Sequence, residues 1–238
     1  MPENKSNLEI HTNADMSHQN SIIFKLKIFI DSLQTNGLKP TVSKIFQRFE
    51  YKMKGIDFST QNLHDLTLTG AYQSHGTALV STSKDFFTRI LSELSEYTDE
   101  TIEKDLFIDY GSGKGAALIH ASALGFKQVY GVEFAKELHD TSVENIKKLK
   151  LTNIHALHQD ATTFVPPVET TVIYFFNPFD AVVMDKVVEQ ISAQKENFLK
   201  DVYVIYGRPT CANLLDKSFT LLGTKEHESG AVVNYYKV

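Results

Sequence analysis

The sequence contains one cysteine, Cys211. A single thiol excludes an intrachain disulfide framework and a Cys-rich zinc site. It is compatible with a reducing, cytoplasmic compartment. Long hydrophobic runs are also missing: none approaches the ~20 residues that cross a bilayer. The most apolar early stretch, Ile22 to Ile30, is broken by Lys25 and Lys27. It has no cleavage pattern after it, so a signal peptide is not expected. Excess positive charge is lacking as well. A net charge of −5 and a pI near 6.0 argue against a general nucleic-acid coat. There is no internal repeat and no obvious catalytic triad.

The 238 residues that are present suffice for one large domain with an appendage. A chain of this size hides about 70% of its unfolded surface, enough for a core without cross-links. With 42% hydrophobic and 22% charged residues, the composition is that of a globular protein rather than a disordered one. The charge is uneven. Residues 21–55 carry seven bases against two acids, while residues 56–238 carry eight more acids than bases. A basic helical segment on an acidic body can meet an anionic partner or touch a membrane surface peripherally. It can equally be the solvated face of a helical cap.

Residues 1–20 are polar and aperiodic, and read as a disordered tail. Residues 21–100 read as a helical N-terminal cap and substrate region. Helical spacing of apolar residues predicts helices over 21–34, 40–53 and 83–97. From residue 105 strands and helices alternate. Strands are predicted at 106–109, 128–133, 153–158, 171–176 and 202–206, with helices at 116–124, 135–149, 181–194 and 209–216. Two closing strands, 219–223 and 232–237, are joined by a loop too short for a crossover helix, so they must pair antiparallel. The predicted fold is α/β: a doubly wound, mostly parallel seven-strand sheet with an antiparallel C-terminal hairpin, plus an N-terminal helical extension.

The sharpest local signal is the loop after the first strand, Asp109-Tyr110-Gly111-Ser112-Gly113-Lys114-Gly115. Glycines turn sharply and place no Cβ between main chain and ligand. The following helix offers free N–H groups. A P-loop is excluded because Ile108 stands where its first glycine belongs. Two patterns remain. Gly111, Gly113 and Ala116 satisfy the dinucleotide fingerprint. Asp109, Gly111, Gly113 and Gly115 satisfy the acid-led loop of S-adenosylmethionine enzymes. Glu133 ends the second strand, 24 residues after Asp109, where a carboxylate can accept from ribose hydroxyls. Asp160, beside Ala161, follows the third strand and Asn177-Pro178-Phe179 the fourth. Alternatives remain for each: a tight turn for the glycines, a surface acid for Glu133, an N-cap at Asp160, and an Asn-Pro turn with a core Phe179. Lys114 reads as solvated.

Taken in order, these motifs make residues 105–238 resemble the class I, seven-strand S-adenosylmethionine-dependent methyltransferases. There is a more distant similarity to the seven-strand lysine methyltransferases. The resemblance implies a 101–238 catalytic domain with S-adenosylmethionine as cofactor and S-adenosylhomocysteine as product. Asp109 and Gly111 to Gly115 would hold the methionine end, Glu133 the ribose, and Asp160 with Ala161 the adenine. Asn177-Pro178-Phe179 resembles the [DN]-P-P-[YFW] motif of amino-group methyltransferases but lacks the second proline. It implies in-line transfer to a nitrogen acceptor, with protein lysine as one candidate and nucleic acid disfavoured. Tyr110, Phe176 and Phe179 can face the sulfonium. Tyr72, His75, Thr77 and Thr82, ahead of the third helix, can reach the methyl donor, His75 as a base. An NAD-dependent oxidoreductase and a non-catalytic methyltransferase-fold module are the competing functions.

Overall fold

The computed structural model describes residues 49–59, 81–98 and 101–238. The expected tail, the helix over 21–34, most of the helix over 40–53, and Tyr72, His75 and Thr77 lie outside the described residues. The chain divides into two units, Met1–Lys54 and Gly55–Val238. In the first, residues 49–53 are helical, and Lys54 donates to Glu50 one turn earlier at 2.7 Å.

The second unit is built on seven strands: β1 (Leu106–Tyr110), β2 (Gln128–Glu133), β3 (Ile154–His158), β4 (Thr170–Phe176), β5 (Tyr203–Gly207), β6 (Thr220–Glu226) and β7 (Val232–Lys237). Their order in the sheet is β3-β2-β1-β4-β5-β7-β6. The first five are parallel, and β7 runs antiparallel between β5 and β6. The predicted fold class is therefore the observed one. Which hairpin strand turns inward follows from burial. β7 hides Val233, Asn234, Tyr235 and Tyr236, whereas β6 is largely exposed and forms the edge.

β1 and β5 are buried along their whole length, as parallel strands covered on both faces must be. One face carries Leu106, Ile108, Tyr110, Ile173, Phe175, Val204 and Tyr206 against α4 (Ala181–Gln194) and α5 (Ala212–Ser218). The other carries Phe107, Val129, Val172, Tyr174 and Ile205. It packs against α1 (Lys84–Leu94), α2 (Ala116–Ala123) and Ile146 of α3 (Lys136–Lys148). Ser83 caps α1 through Phe86 N–H, and Asp180 caps α4 through Val182 and Val183 N–H. α5 begins three residues later than the sequence predicts. Residues 209–211 form a turn instead: Thr210 N–H bonds to Arg208 O at 2.9 Å, and Ala212 N–H to Pro209 O at 3.3 Å. Among the described residues no helix is long and apolar enough to cross a membrane.

Candidate functional site

The carboxyl ends of the five parallel strands share one edge, and the candidate residues lie along it. Loop 111–115 leaves β1 with Gly111, Gly113 and Gly115 all at positive φ (+77°, +54°, +82°). Two of the three glycines are required by the protein's own packing. A Cβ on Gly111 would lie 2.5 Å from Pro178 Cβ, and one on Gly115 would overlap Ser142 Oγ. Gly111 thus brings the loop onto the Asn177-Pro178 turn, while Gly115 seats it on α3. Amides of the same loop fasten it to β2. Gly111 N–H donates to Val132 O at 2.8 Å, and Gly113 N–H to Glu133 Oε2 at 2.8 Å.

Glu133 is buried, and its other oxygen accepts from Ala135 N–H at 2.8 Å. Burial raises its pKa despite these bonds. Asp109, on the neighbouring strand tip, is 4% exposed. Burial, reinforced by the charge of Glu133, holds its pKa well above the usual carboxylate range. Among the described residues no cation or hydrogen-bond donor is paired with the Asp109 side chain.

Asp160 Oδ1 accepts from both the N–H and the hydroxyl of Thr162 at 2.8 Å, capping a 3-10 turn over Ala161–Thr163. It sits at the carboxyl end of β3 with Ala161 buried behind it. Asn177 follows β4 in the left-handed region (φ +47°) and accepts from Thr210 Oγ1 at 2.7 Å.

Three sequence assignments are corrected. Tyr110 is fully buried, its ring stacked on Phe175 at 5.2 Å on the α4 side, so it offers no face to a ligand. Phe179 is also in that core, edge-on to Phe175 at 6.2 Å, because the strand-ending turn points it inward. The Thr82 hydroxyl shares a 3.0 Å hydrogen bond with the buried hydroxyl of Tyr174, so its polar atom is used in the core. Phe176, half-buried at the edge, remains open to contact.

Lys114 is a fourth correction. It is 5% exposed, not solvated, and its ammonium donates to Asp57 Oδ2 at 2.8 Å and Ser59 Oγ at 3.0 Å. Partial burial opposes ionisation of Asp57, but Lys114 and Ser59 lower its pKa to about 2. Asn145 completes the clasp. It accepts from Asp57 N–H at 3.0 Å and donates to Asp57 O at 2.9 Å and Lys114 O at 3.0 Å. Lys148 adds a bond to Gly55 O at 2.7 Å. Residues 55–59 are thereby strapped to the back of the glycine loop. Sequence reading missed Asp57, Asn145, Thr210 and Arg208. Asn145, a polar residue on the buried face of α3 beside Leu138 and Ile146, was the available clue.

The family model described as "Conserved hypothetical protein 95" matches residues 86–237, nearly two thirds of the chain. The chain belongs to that family. The match spans the whole sheet, so every strand tip just described lies within the Conserved hypothetical protein 95 region. No curated protein matches the chain. Solved structures do. A SAM-dependent methyltransferase from Aquifex aeolicus superposes with a TM-score of 0.50 at 16% identity, over 66% of this chain and 100% of that one. An RNA methyltransferase from Salinibacter ruber, in complex with S-adenosyl-L-homocysteine, gives a TM-score of 0.51 at 18% identity, over 67% and 94%. This member of the Conserved hypothetical protein 95 family thus has the class I, seven-strand, Rossmann-like methyltransferase fold. The dinucleotide fold, whose sixth strand continues the parallel order 3-2-1-4-5-6, lacks the inserted antiparallel β7. That difference disfavours the NAD alternative.

The residues present fit S-adenosylmethionine. A buried carboxylate without a cation suits the donor's ammonium group, and a second lies one strand away. Among the described residues no cluster of three His, Cys, Asp or Glu side chains could hold a metal ion.

Proposed function

We propose that the protein is an S-adenosylmethionine-dependent methyltransferase whose acceptor atom is nitrogen, a lysine side-chain amine being one such acceptor. The observation that carries this function is Asp109, a carboxylate buried beside Glu133 at the sheet's ligand edge with no cation of its own. Bound there, the cofactor would supply a methyl carbon already activated by its sulfonium, so little acid–base chemistry is obligatory.

The chain's own residues hold and orient. Asp109 would pair with the ammonium of the methionine end. Glu133 is held by backbone N–H groups of Gly113 and Ala135, one on each oxygen, and the carboxylate would turn its remaining acceptor capacity to a ribose hydroxyl. Asp160, fixed by Thr162, would accept from the adenine amine beside Ala161. Asn177, fixed by Thr210, and the Pro178 carbonyl would accept from the acceptor's N–H and aim its lone pair. Phe176 would exclude water and face the positive sulfur. The missing second proline and the inward Phe179 favour a flexible amine over a planar base, since no aromatic in that motif is available for stacking.

The test is incubation of labelled S-adenosylmethionine with host lysate, with small-molecule and macromolecular fractions separated, beside a titration with S-adenosylhomocysteine. Label on a nitrogen is the expected result. Label confined to oxygen or carbon refutes the acceptor. Cofactor binding without label in any fraction would favour the non-catalytic module.

A further inference from the structure

The tips of β4 and β5 share an unusual feature. Phe176 and Gly207 are partners in the parallel ladder, so Asn177 and Arg208 are the next residues on two adjacent strands. Both are non-glycine residues at positive φ, +47° and +51°. Such conformations are strained and persist where the surroundings enforce them, often at functional sites. Here the enforcing contacts are clear. Arg208 N–H bonds to Val232 O at 2.8 Å, and Arg208 O accepts from Thr210 N–H at 2.9 Å. Thr210 in turn holds Asn177.

The Arg208 side chain is exposed, yet it is placed. Its guanidinium lies 5.4 Å from the centroid of the Phe176 ring. Gly207 permits this arrangement, because a Cβ there would overlap Phe176. Phe176 continues into Phe86, 6.0 Å away edge-on, and Phe86 into His227 at 5.1 Å. Edge-to-face ring contacts therefore run from Phe86 on α1 to Phe176 at the tip of β4, with the Arg208 cation at one end and Asn177 next in the chain. Among the described residues no carboxylate pairs with Arg208. Lys114, the buried cation of the glycine loop, is already held by Asp57 and Ser59.

We propose that Arg208 binds a carboxylate of the methyl acceptor, next to the nitrogen aimed by Asn177. This deepens, and rests on, the methyltransferase function above. A guanidinium fixed over a ring presents its remaining N–H groups as a planar fork, which matches a carboxylate in bidentate fashion. Residues 56–238 carry eight more acids than bases. A polyanionic phosphate backbone would be repelled by that field, whereas a single carboxylate meets mainly the local cation.

The test uses the full chain saturated with S-adenosylhomocysteine and titrates benzoate, a carboxylate on an aromatic ring that can pack beside Phe176, by NMR. Saturable benzoate binding is expected, weakened at least tenfold by Arg208→Gln and to an intermediate degree by Arg208→Lys, which keeps the charge but loses the planar fork. Arg89→Gln, on α1, is the control and should leave it unchanged. Equal benzoate binding by wild type and Arg208→Gln, or none by wild type, overturns the proposal. Phenyl phosphate is titrated in parallel. Tighter, Arg208-dependent binding of phenyl phosphate overturns the carboxylate in favour of a phosphate. S-Adenosylhomocysteine affinity, measured on the same variants, should be unchanged. If wild type does not bind it, the methyltransferase function has failed, while the benzoate titration without it still reads Arg208 directly.

Discussion

Replacing Asp57 and replacing Lys114 should have unequal effects, although the two form one ion pair. Lys114 is 5% exposed, whereas the Asp57 side chain is 48% exposed. Asp57→Asn leaves an ammonium in the interior with only Ser59 Oγ and the neutral amide for partners. Breaking a fully buried pair from one side costs about 3–5 kcal/mol, and water reaching the half-exposed partner reduces this to about 1–3 kcal/mol. Lys114→Met has the opposite result. The stem is replaced by an apolar chain of similar length, and Asp57 turns to water, so the loss should stay within about 1 kcal/mol. For a chain of this length each kcal/mol shifts Tm by roughly 2–4 °C, so Asp57→Asn should melt about 2–12 °C lower. Urea unfolding at pH 7 is the assay, since Asp57, with its pKa lowered to about 2, is ionised throughout. If Lys114→Met proves as costly as Asp57→Asn, or Asp57→Asn costs nothing, the strap is not held by burial of the lysine charge. Because the clasp closes on the back of the glycine loop, Asp57→Asn should also weaken S-adenosylhomocysteine binding, and Asp57→Glu should restore part of it.

Asp109 gives a proton-linkage prediction. Its pKa is raised in the free protein and should fall when an ammonium sits beside it, so ligand binding releases a proton and tightens as pH rises toward the raised pKa. Calorimetry in buffers of different ionisation enthalpy should show this release with S-adenosylhomocysteine, and Asp109→Asn should diminish it; uptake of a proton would contradict the site. His120 works in the acid range. Burial pushes its pKa down to about 4, below the unfolded value near 6.5, so the unfolded chain takes the proton first. Stability should be complete above pH 6.5 and decline toward pH 4 with a slope up to about 1.4 kcal/mol per pH unit, and His120→Gln should flatten that slope in urea titrations. Gly111→Ala meets both a φ of +77° and Pro178, so it should lower stability by about 1–3 kcal/mol and loosen cofactor binding together. Unchanged Tm with normal binding would show that the loop does not need Pro178.

Much of the sheet was legible because its signals are local. β1, β4 and β5 are short, mostly apolar runs, and an acid stands at the last position of β2 and the last but one of β1, where a reader can place it near the ligand edge. The hairpin could be inferred from a loop too short for a helix, but its insertion with β7 inward depends on which strand has two buried faces. The glycine loop was legible as a loop and misleading in its detail. Gly111 is needed because of Pro178 and Gly115 because of Ser142, contacts made by residues distant in sequence. Lys114 between two glycines has no local feature to distinguish it from a solvated lysine, and its partner Asp57 precedes α1. Asp160 caps the turn over Ala161–Thr163, which is the N-cap alternative its sequence offered.

The treatment of buried charge across the unit sets Asp109 apart from the other interior charges. Glu93, buried on α1, accepts from Tyr235 Oη at 2.7 Å and lies 3.3 Å from Lys225 Nζ. Lys114 has Asp57, and Glu133 has two backbone N–H groups. Each obeys the rule that an interior charge is paired or hydrogen-bonded. Asp109 breaks it, and breaks it beside a second acid. Packing does not explain this, since an asparagine or a leucine in β1 would avoid the cost. A chain keeps such a residue where the missing partner arrives from outside, because local rules tend to be violated at functional sites. The same reasoning forecasts that Asp109→Asn is more stable than wild type at neutral pH while binding the cofactor less well. If that variant were less stable at pH 7, Asp109 would have an internal partner and the cationic ligand would lose its main support.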